Sequence, residues 1–269
     1  MIQIVVQEWL ARVTSFWVVF SYFLFLKLRG YRVRNLKLIR KRWRALLKEH
    51  PGPWLVCPNH LTMIDSFIVT YGLFSFFDHF RFYLQVPWNL PEKVNFYKNF
   101  FYSCALYLAK CIPIRRGGSR EEVLGTLAKC HFLLKKGRAL LIFPEGGRSR
   151  TGRVNRENCT YGVGRLLEEH PDCRVLCVYL RGDAQDNYSY FPADGDTFTM
   201  MIKPLVPVRK GLHGLRAQRD YARQVIETLA RMEEVYFAVY RKRRRGFEHD
   251  GESGQERRSA LHQSGIYVG

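Results

Sequence analysis

Short apolar runs alternate with helical patterns through the middle of the chain. Runs of apolar residues predict buried strands at residues 54–57, 81–86, 111–114, 139–143, 174–180 and 198–202. Apolar residues at helical spacing predict helices at residues 36–48, 64–77, 94–110, 119–136, 157–169 and 215–240. Strands that alternate with helices are typical of an α/β sheet. The pattern predicts a mixed, mostly parallel sheet surrounded by helices.

The amino terminus follows a different pattern. Residues 13–26, VTSFWVVFSYFLFL, are uncharged and aromatic, but a membrane-spanning helix needs about 20 residues. Residues 27–48 hold ten Lys or Arg and no acidic residue. An apolar helix beside a basic stretch favours an interfacial helix on an anionic leaflet. The alternative is a buried core helix.

Composition adds a charge argument. The 269 residues carry a formal net charge of +19, which predicts a polyanionic partner such as nucleic acid, an anionic membrane or an acidic protein. The seven cysteines form no CxxC pair and mostly lie in apolar runs, so we interpret them as reduced hydrophobic residues without a metal site.

Proline and glycine divide the chain into three predicted parts. Pro51-Gly52-Pro53 ends the basic helix. Residues 1–50 form the predicted helical membrane-binding arm, and residues 51–240 form the α/β domain. Residues 241–269 begin with RKRRR and continue with a composition typical of disorder. The basic run is either a solvated face or a contact for a membrane or nucleic acid.

Candidate chemistry lies where predicted strands end. His60 follows the strand at residues 54–57, and Asp65 begins the next helical pattern. A carboxylate on one imidazole nitrogen fixes the tautomer, which leaves the other nitrogen to act as a general base. On spacing alone, a His–Asp pair is more often a helix-capping hydrogen bond.

A second strand end carries complementary residues. The run at 139–143 leads into the stretch FPEGGRSRTG, which holds Glu145, two glycines and Arg148. Glycines allow close backbone approach to a ligand, and arginine recognises phosphate or carboxylate. A solvated turn is the alternative. Ligands of open α/β sheets bind at the carboxyl ends of strands, so the two strand ends predict one site.

At these residues the sequence resembles the glycerolipid (1-acylglycerol-3-phosphate) acyltransferases. NHLTMID is similar to the family motif N-H-x-x-x-x-D, and FPEGGRSRTG is similar to F-P-E-G-T-R-S-R-x-G. CIPIRR resembles an intermediate block that ends in Ile-x-Arg. The resemblance implies transfer of a fatty acyl group from acyl-CoA or acyl carrier protein to a lipid hydroxyl, without a cofactor or metal. It favours lysophosphatidic acid as the acceptor.

The resemblance also implies residue roles and a location. His60 would be the base and Asp65 its partner. The residues implied in acceptor binding are Arg115 or Arg116, Glu145, Gly146, Gly147 and Arg148. Backbone amides near Gly146 are candidates for stabilising the oxyanion. The protein would work at the cytoplasmic face of the cell inner membrane, as a peripheral or monotopic protein.

Three departures from the family pattern keep alternatives open. Gly147 replaces the usual Thr or Ser, the stretch LQVPWNLPEKVNFYKNFF lacks the expected glycines, and VLCVYL lacks a proline. A specialised lipid, glycolipid or pigment is therefore the alternative acceptor. The helical pattern at residues 94–110 would line an acyl chain or belong to the core. A non-catalytic basic protein that binds membranes or nucleic acid is the other class, although the sequence contains no recognised nucleic-acid motif.

Overall fold

A computed structural model describes residues 1–97, 99–115, 117–157, 159–241 and 266–268. The strands are β1 (Arg32–Val33), β2 (Trp54–Pro58), β3 (Trp88–Asn89), β4 (Ala139–Leu141), β5 (Arg174–Gly182), β6 (Thr197–Leu205) and β7 (Tyr267–Val268). The helices are α1 (Ile2–Val13), α2 (Ser15–Leu28), α3 (Leu36–Glu49), α4 (Asp65–Leu73), α5 (Asp78–Arg81), α6 (Lys93–Phe96), α7 (Phe100–Leu108), α8 (Arg120–Lys135), α9 (Tyr161–Glu169) and α10 (Leu215–Tyr236).

The strands form one mixed sheet in the order β1-β6-β5-β2-β4-β3, with β7 on β6. The central strand β2 runs parallel to both β4 and β5, while β5 and β6 are antiparallel. The prediction of a mixed, mostly parallel sheet surrounded by helices is confirmed. Since β2 and β4 run parallel, their carboxyl ends lie at the same sheet edge.

The core occupies both faces of the sheet because side chains alternate along each strand. In β2, Leu55 and Cys57 pack on the face covered by α8, α9 and α10. Trp54 and Val56 pack on the opposite face, which α3 and α4 cover. A strand buried on both faces explains why residues 54–57 read as a continuous apolar run.

Two predicted elements differ in the structure. Residues 81–86 form no strand among the described residues; Asp78 Oδ2 accepts hydrogen bonds from the backbone N–H and the hydroxyl of Ser75, and this turn begins α5. The predicted helix at residues 94–110 is divided into α6 and α7. None of the nine residues of α7 is buried, so its interpretation as a core helix is wrong. The predicted strand at 111–114 makes only isolated bridges, at Cys111 and Ile114.

The predicted arm of residues 1–50 does not form a separate structural unit. Ile39 and Trp43 of α3 are fully buried in the core, and β1 pairs with β6. The α/β domain therefore includes residues from about 31 onward, ahead of the predicted boundary. Helix α1 also lies on the domain, where Glu8 accepts two hydrogen bonds from Arg138 at 2.7 and 3.0 Å.

The amino-terminal helices meet at an angle of 66°. Within the described residues, no single helix has the length and apolar composition of a membrane span, whereas α1 and α2 taken together do. The predicted carboxyl-terminal run and tail lie outside the described residues, apart from Arg241 and residues 266–268.

Candidate active site

The loops after β2 and β4 meet around His60. The His60 backbone N–H donates to Glu145 Oε1 at 2.9 Å, and the His60 carbonyl accepts from the Ser149 N–H at 2.9 Å. Both peptide groups of His60 are thus bound by the second loop. The two motifs that the sequence placed at separate strand ends form one structure.

His60 and Asp65 are paired directly. Asp65 Oδ2 lies 3.1 Å from His60 Nδ1 and also accepts the backbone N–H groups of Leu61 and Thr62, at 2.6 and 2.8 Å. Asp65 begins α4, so its carboxylate also lies at the favourable end of the helix dipole. This carboxylate therefore fixes the imidazole and the turn that precedes α4, whereas no side-chain hydrogen bond caps this helix, so the helix-cap interpretation is not borne out. Nε2 is the ring nitrogen left for a substrate proton.

Neighbouring residues fix the backbone and ring of His60. The Asn59 side chain accepts the Leu180 N–H at 2.7 Å and donates to the Leu180 carbonyl at 3.0 Å, which continues the β2–β5 pairing beyond the last strand residue. The Phe143 ring stacks on the imidazole, with centroids 3.8 Å apart and planes 18° apart. The imidazole is therefore held on one face by a ring and on one edge by a carboxylate.

Glu145 lies behind the His60–Asp65 pair. Its Oε2 accepts the Asn155 N–H at 3.1 Å, while Oε1 accepts the His60 N–H. Burial raises the pKa of Glu145 from 4.5 to about 7, although the two backbone donors act in the opposite direction. The carboxyl group therefore joins two loops inside the protein.

Gly146 makes the turn that follows. Its φ of 68° lies in the left-handed region, and an added Cβ would meet Thr160 Cγ2 at 2.3 Å. The Gly146 N–H donates to the Phe143 carbonyl at 3.1 Å. This amide is engaged within the turn, so it is a poor candidate for the oxyanion donor that the motif suggested.

A cavity of about 540 Å³ opens beside His60. Its lining includes His60, Phe143, Gly147, Arg148 and Arg150 from the two motif loops, Met63, Ser66 and Phe67 around α4, Asn89, Leu90, Pro91, Glu92, Asn95, Phe96, Leu106 and Cys111 from the segment between β3 and residue 111, and Tyr188 and Tyr190 from the β5–β6 connection. A smaller, mainly apolar cavity of about 60 Å³ shares Phe67 and Asn89 with it. The lining combines a base, cations and apolar groups, as a lipid substrate with a polar head requires.

Arg148 is held by a segment that the motifs did not indicate. Its guanidinium lies 5.5 Å from the Tyr188 ring centroid and 4.9 Å from that of Tyr190, and Nη1 donates to the Ser189 carbonyl at 3.3 Å. Ser189 N–H donates in turn to the Leu61 carbonyl at 3.1 Å. Residues 188–190 therefore connect the predicted anion-binding arginine to the loop that carries His60.

The predicted site residues lie at different distances from the cavity. His60, Gly147 and Arg148 line the cavity, and Asp65 and Glu145 lie behind them. Arg115 is exposed and pairs with Glu122 at 3.5 Å, outside the cavity lining. Arg116 lies outside the described residues. Within the described residues, no group of three or more His, Cys, Asp or Glu side chains is arranged to hold a metal ion.

Comparisons with known proteins identify the family. The model of the family described as Acyltransferase matches residues 31–209. The chain belongs to the Acyltransferase family. The resemblance that the two motifs carried is thus confirmed, and the match begins at the residues where the structure begins the α/β domain. The family match favours an acyltransferase over a non-catalytic basic protein.

Solved structures give one further comparison. The crystal structure of the 1-acyl-sn-glycerophosphate (LPA) acyltransferase PlsC from Thermotoga maritima is similar at 15% identity with a TM-score of 0.44, covering 86% of this chain and 95% of that chain. A comparison with curated proteins found no match.

Proposed function

We propose that this acyltransferase moves a fatty acyl group from a thioester, carried by CoA or acyl carrier protein, to the hydroxyl of a lysophospholipid. Lysophosphatidic acid is the proposed acceptor and phosphatidic acid the product. The observation that carries the proposal is that His60, which Asp65 contacts from behind, and Arg148 line the same cavity. A base for the hydroxyl and a cation for the phosphate are the two groups that this acceptor needs.

The proposed reaction is direct transfer. His60 Nε2 takes the proton of the acceptor hydroxyl while Asp65 stabilises the imidazolium. The oxygen attacks the thioester carbonyl, the carbon–sulfur bond breaks, and the leaving thiolate takes the proton from the imidazolium. The acyl carbon passes from sulfur to oxygen, and His60 returns to its starting state.

Arg148 is suited to the phosphate. Among the contacts of the described residues, its guanidinium uses only Nη1, on Ser189, and guanidinium carries five N–H donors in a fork that matches phosphate. The two tyrosine rings and the Ser189 bond limit the motion of the side chain. An anion bound there would lose little free energy to the ordering of Arg148.

We also propose that the protein works on the cytoplasmic face of the inner membrane. The exposed apolar residues of α1 and α2 and the net charge of +19 support this location. High salt should release the protein from anionic vesicles only in part, because salt screens the charges and does not weaken apolar burial. Complete release by salt would contradict an inserted apolar surface.

The test of the reaction is an acceptor panel. The purified protein is incubated with labelled acyl-CoA or acyl carrier protein and with lysolipids that differ in head group. Released thiol is measured and the product is identified by mass. We expect thiol release that depends on lysophosphatidic acid and yields phosphatidic acid. A preference for acceptors without phosphate would contradict the proposed acceptor and favour a specialised lipid or glycolipid.

A further inference from the structure

Helix α7 exposes an apolar surface that the proposed reaction leaves unexplained. Phe100, Phe101 and Tyr102 are 75%, 83% and 63% exposed. Residues 99–109, NFFYSCALYLA, contain no charged side chain. Single exposed apolar residues are normal, but an uncharged helix with three adjacent exposed aromatic residues marks an interaction surface.

The exposed surface is continuous with that of the amino-terminal helices. Helix α7 packs against both α1 and α2. Gln7 Nε2 of α1 donates to the carbonyls of Tyr107 and Cys111, each at 2.9 Å, and this fixes the two helices side by side. Exposed apolar side chains on α1 and α2 include Trp9 at 63% and Trp17 at 68%. Three neighbouring helices thus present apolar and aromatic residues to the outside.

Charge identifies the partner. Exposed basic residues stand at the ends of these elements: Arg12 in the last turn of α1, Lys27 in the last turn of α2 and Lys93 at the start of α6. Aromatic side chains favour the membrane–water interface, and basic residues favour the anionic head groups above it. Aromatic residues flanked by cations on a chain of charge +19 match an anionic bilayer better than they match another copy of this cationic chain.

The same segment forms a wall of the catalytic cavity. Phe96 and Leu106 line that cavity, while Phe100 and Phe101 face outward. Helix α7 therefore carries both the cavity-lining Leu106 and the exposed Phe100 and Phe101.

We propose that α7 inserts its Phe100–Phe101 end into the acyl region of an anionic bilayer, beside α1 and α2, and so places the cavity wall in the lipid. This proposal rests on the proposed action on lipids and adds a second membrane-contacting element. A lysolipid then reaches the cavity from the leaflet without crossing water.

Cys104 provides a direct probe of insertion. It is exposed on α7, whereas five of the other six cysteines are buried and Cys159 is half-buried. A Cys159→Ser chain labelled at Cys104 with an environment-sensitive fluorophore is mixed with vesicles of anionic and zwitterionic lipid. We expect the emission to shift to the blue and to be quenched by lipids that carry a spin label on the acyl chain. An unshifted emission from vesicle-bound protein, or a shift that arises by self-association without vesicles, would overturn the proposal.

A matched pair of variants tests the energetic contribution. Phe100→Ser/Phe101→Ser should weaken partition onto anionic vesicles by about tenfold or more, since two large apolar side chains lose their burial. Val206→Ser/Val208→Ser is the control, because these two exposed residues follow β6 at the sheet end opposite His60. Equal partition of both variants and the wild type would overturn the proposal. Transfer to a lysolipid in detergent micelles should persist in the phenylalanine variant, so loss of insertion and failure of the proposed reaction are distinguishable.

Discussion

Glu145 holds His60 in place through the backbone: its carboxyl oxygen accepts the His60 N–H at 2.9 Å. The family resemblance implied that Glu145 binds the acceptor, and that role stays a prediction. The geometry gives this carboxyl group a different task, because both of its oxygens contact backbone N–H groups on two loops. The values of kcat and of the acceptor KM distinguish positioning of His60 from binding of the acceptor.

Glu145→Gln should therefore lower kcat and change the acceptor KM little. Above pH 7, where the Glu145 carboxyl group is ionised, the glutamine NH2 would face a backbone N–H, and loss of a charge-assisted bond of about 1.5–3 kcal/mol predicts a ten- to hundredfold decrease in kcat. Initial rates over a range of acceptor concentrations give both constants. Glu157→Gln, an exposed residue of the same loop, is the control. A raised acceptor KM with unchanged kcat would instead support direct acceptor binding.

Glu145 should also make stability depend on pH. Burial raises its pKa from 4.5 to about 7, so between these values the folded state retains a proton that the unfolded chain has released. The stabilising contribution is full below pH 4.5 and is lost as pH rises through 7, by about 3 kcal/mol at most. Urea unfolding of the wild type and of Glu145→Gln across this range measures the difference. A difference that stays constant or grows with pH would contradict the raised pKa.

Gly146→Ala should destabilise the second motif loop. Alanine at φ 68° costs about 1–2 kcal/mol, and overlap with Thr160 Cγ2 adds about 1–3 kcal/mol. Thr160→Ser removes the methyl group while retaining a hydroxyl for the Pro144 carbonyl. The double variant should be more stable than Gly146→Ala by the overlap cost alone, because the backbone cost at φ 68° remains. Unfolding free energies of the four chains test this, and a double variant as unstable as Gly146→Ala would show that no overlap occurs.

Arg148→Lys should raise the KM for a phosphate-bearing acceptor and leave the KM of the acyl donor nearly unchanged. An ammonium loses the bidentate geometry and the stacking against Tyr188 and Tyr190. The expected decrease in kcat/KM is about ten- to a hundredfold. Arg165→Lys, on the exposed side of α9, is the control. An unchanged kcat/KM in Arg148→Lys would exclude Arg148 as the phosphate-binding group.

Local sequence patterns predicted the parts of the site that depend on strand ends. His60 and Arg148 converge because β2 and β4 are parallel neighbours. The predicted helix at residues 119–136 is present as α8, which begins with a capping box in which Ser119 and Glu122 bond each other's backbone.

Sequence patterns did not predict contacts that come from distant segments of the chain. Tyr188 and Tyr190 reach Arg148 from the β5–β6 connection, more than 35 residues along the chain, and no motif marks them. The sequence left residues 94–110 between an acyl-chain lining and the core, because an apolar helix has the same composition in a core and at a membrane surface. Glu145 occupies the acidic position of the second motif. The sequence does not show that its two oxygens accept backbone N–H groups; the structure does.

The proposed reaction depends on proton transfer by His60. His60→Ala removes the one imidazole in the cavity lining that Asp65 contacts, within the described residues. The control His213→Ala changes an exposed histidine that the cavity lining does not include. The direct measurement is the initial rate of acyl transfer from labelled acyl-CoA to lysophosphatidic acid, with thermal unfolding and vesicle binding recorded in parallel. We predict a decrease of about 100-fold or more for His60→Ala, with unfolding and binding unchanged, and full activity for His213→Ala. A His60→Ala chain that transfers acyl groups at the wild-type rate would show that His60 is not the base.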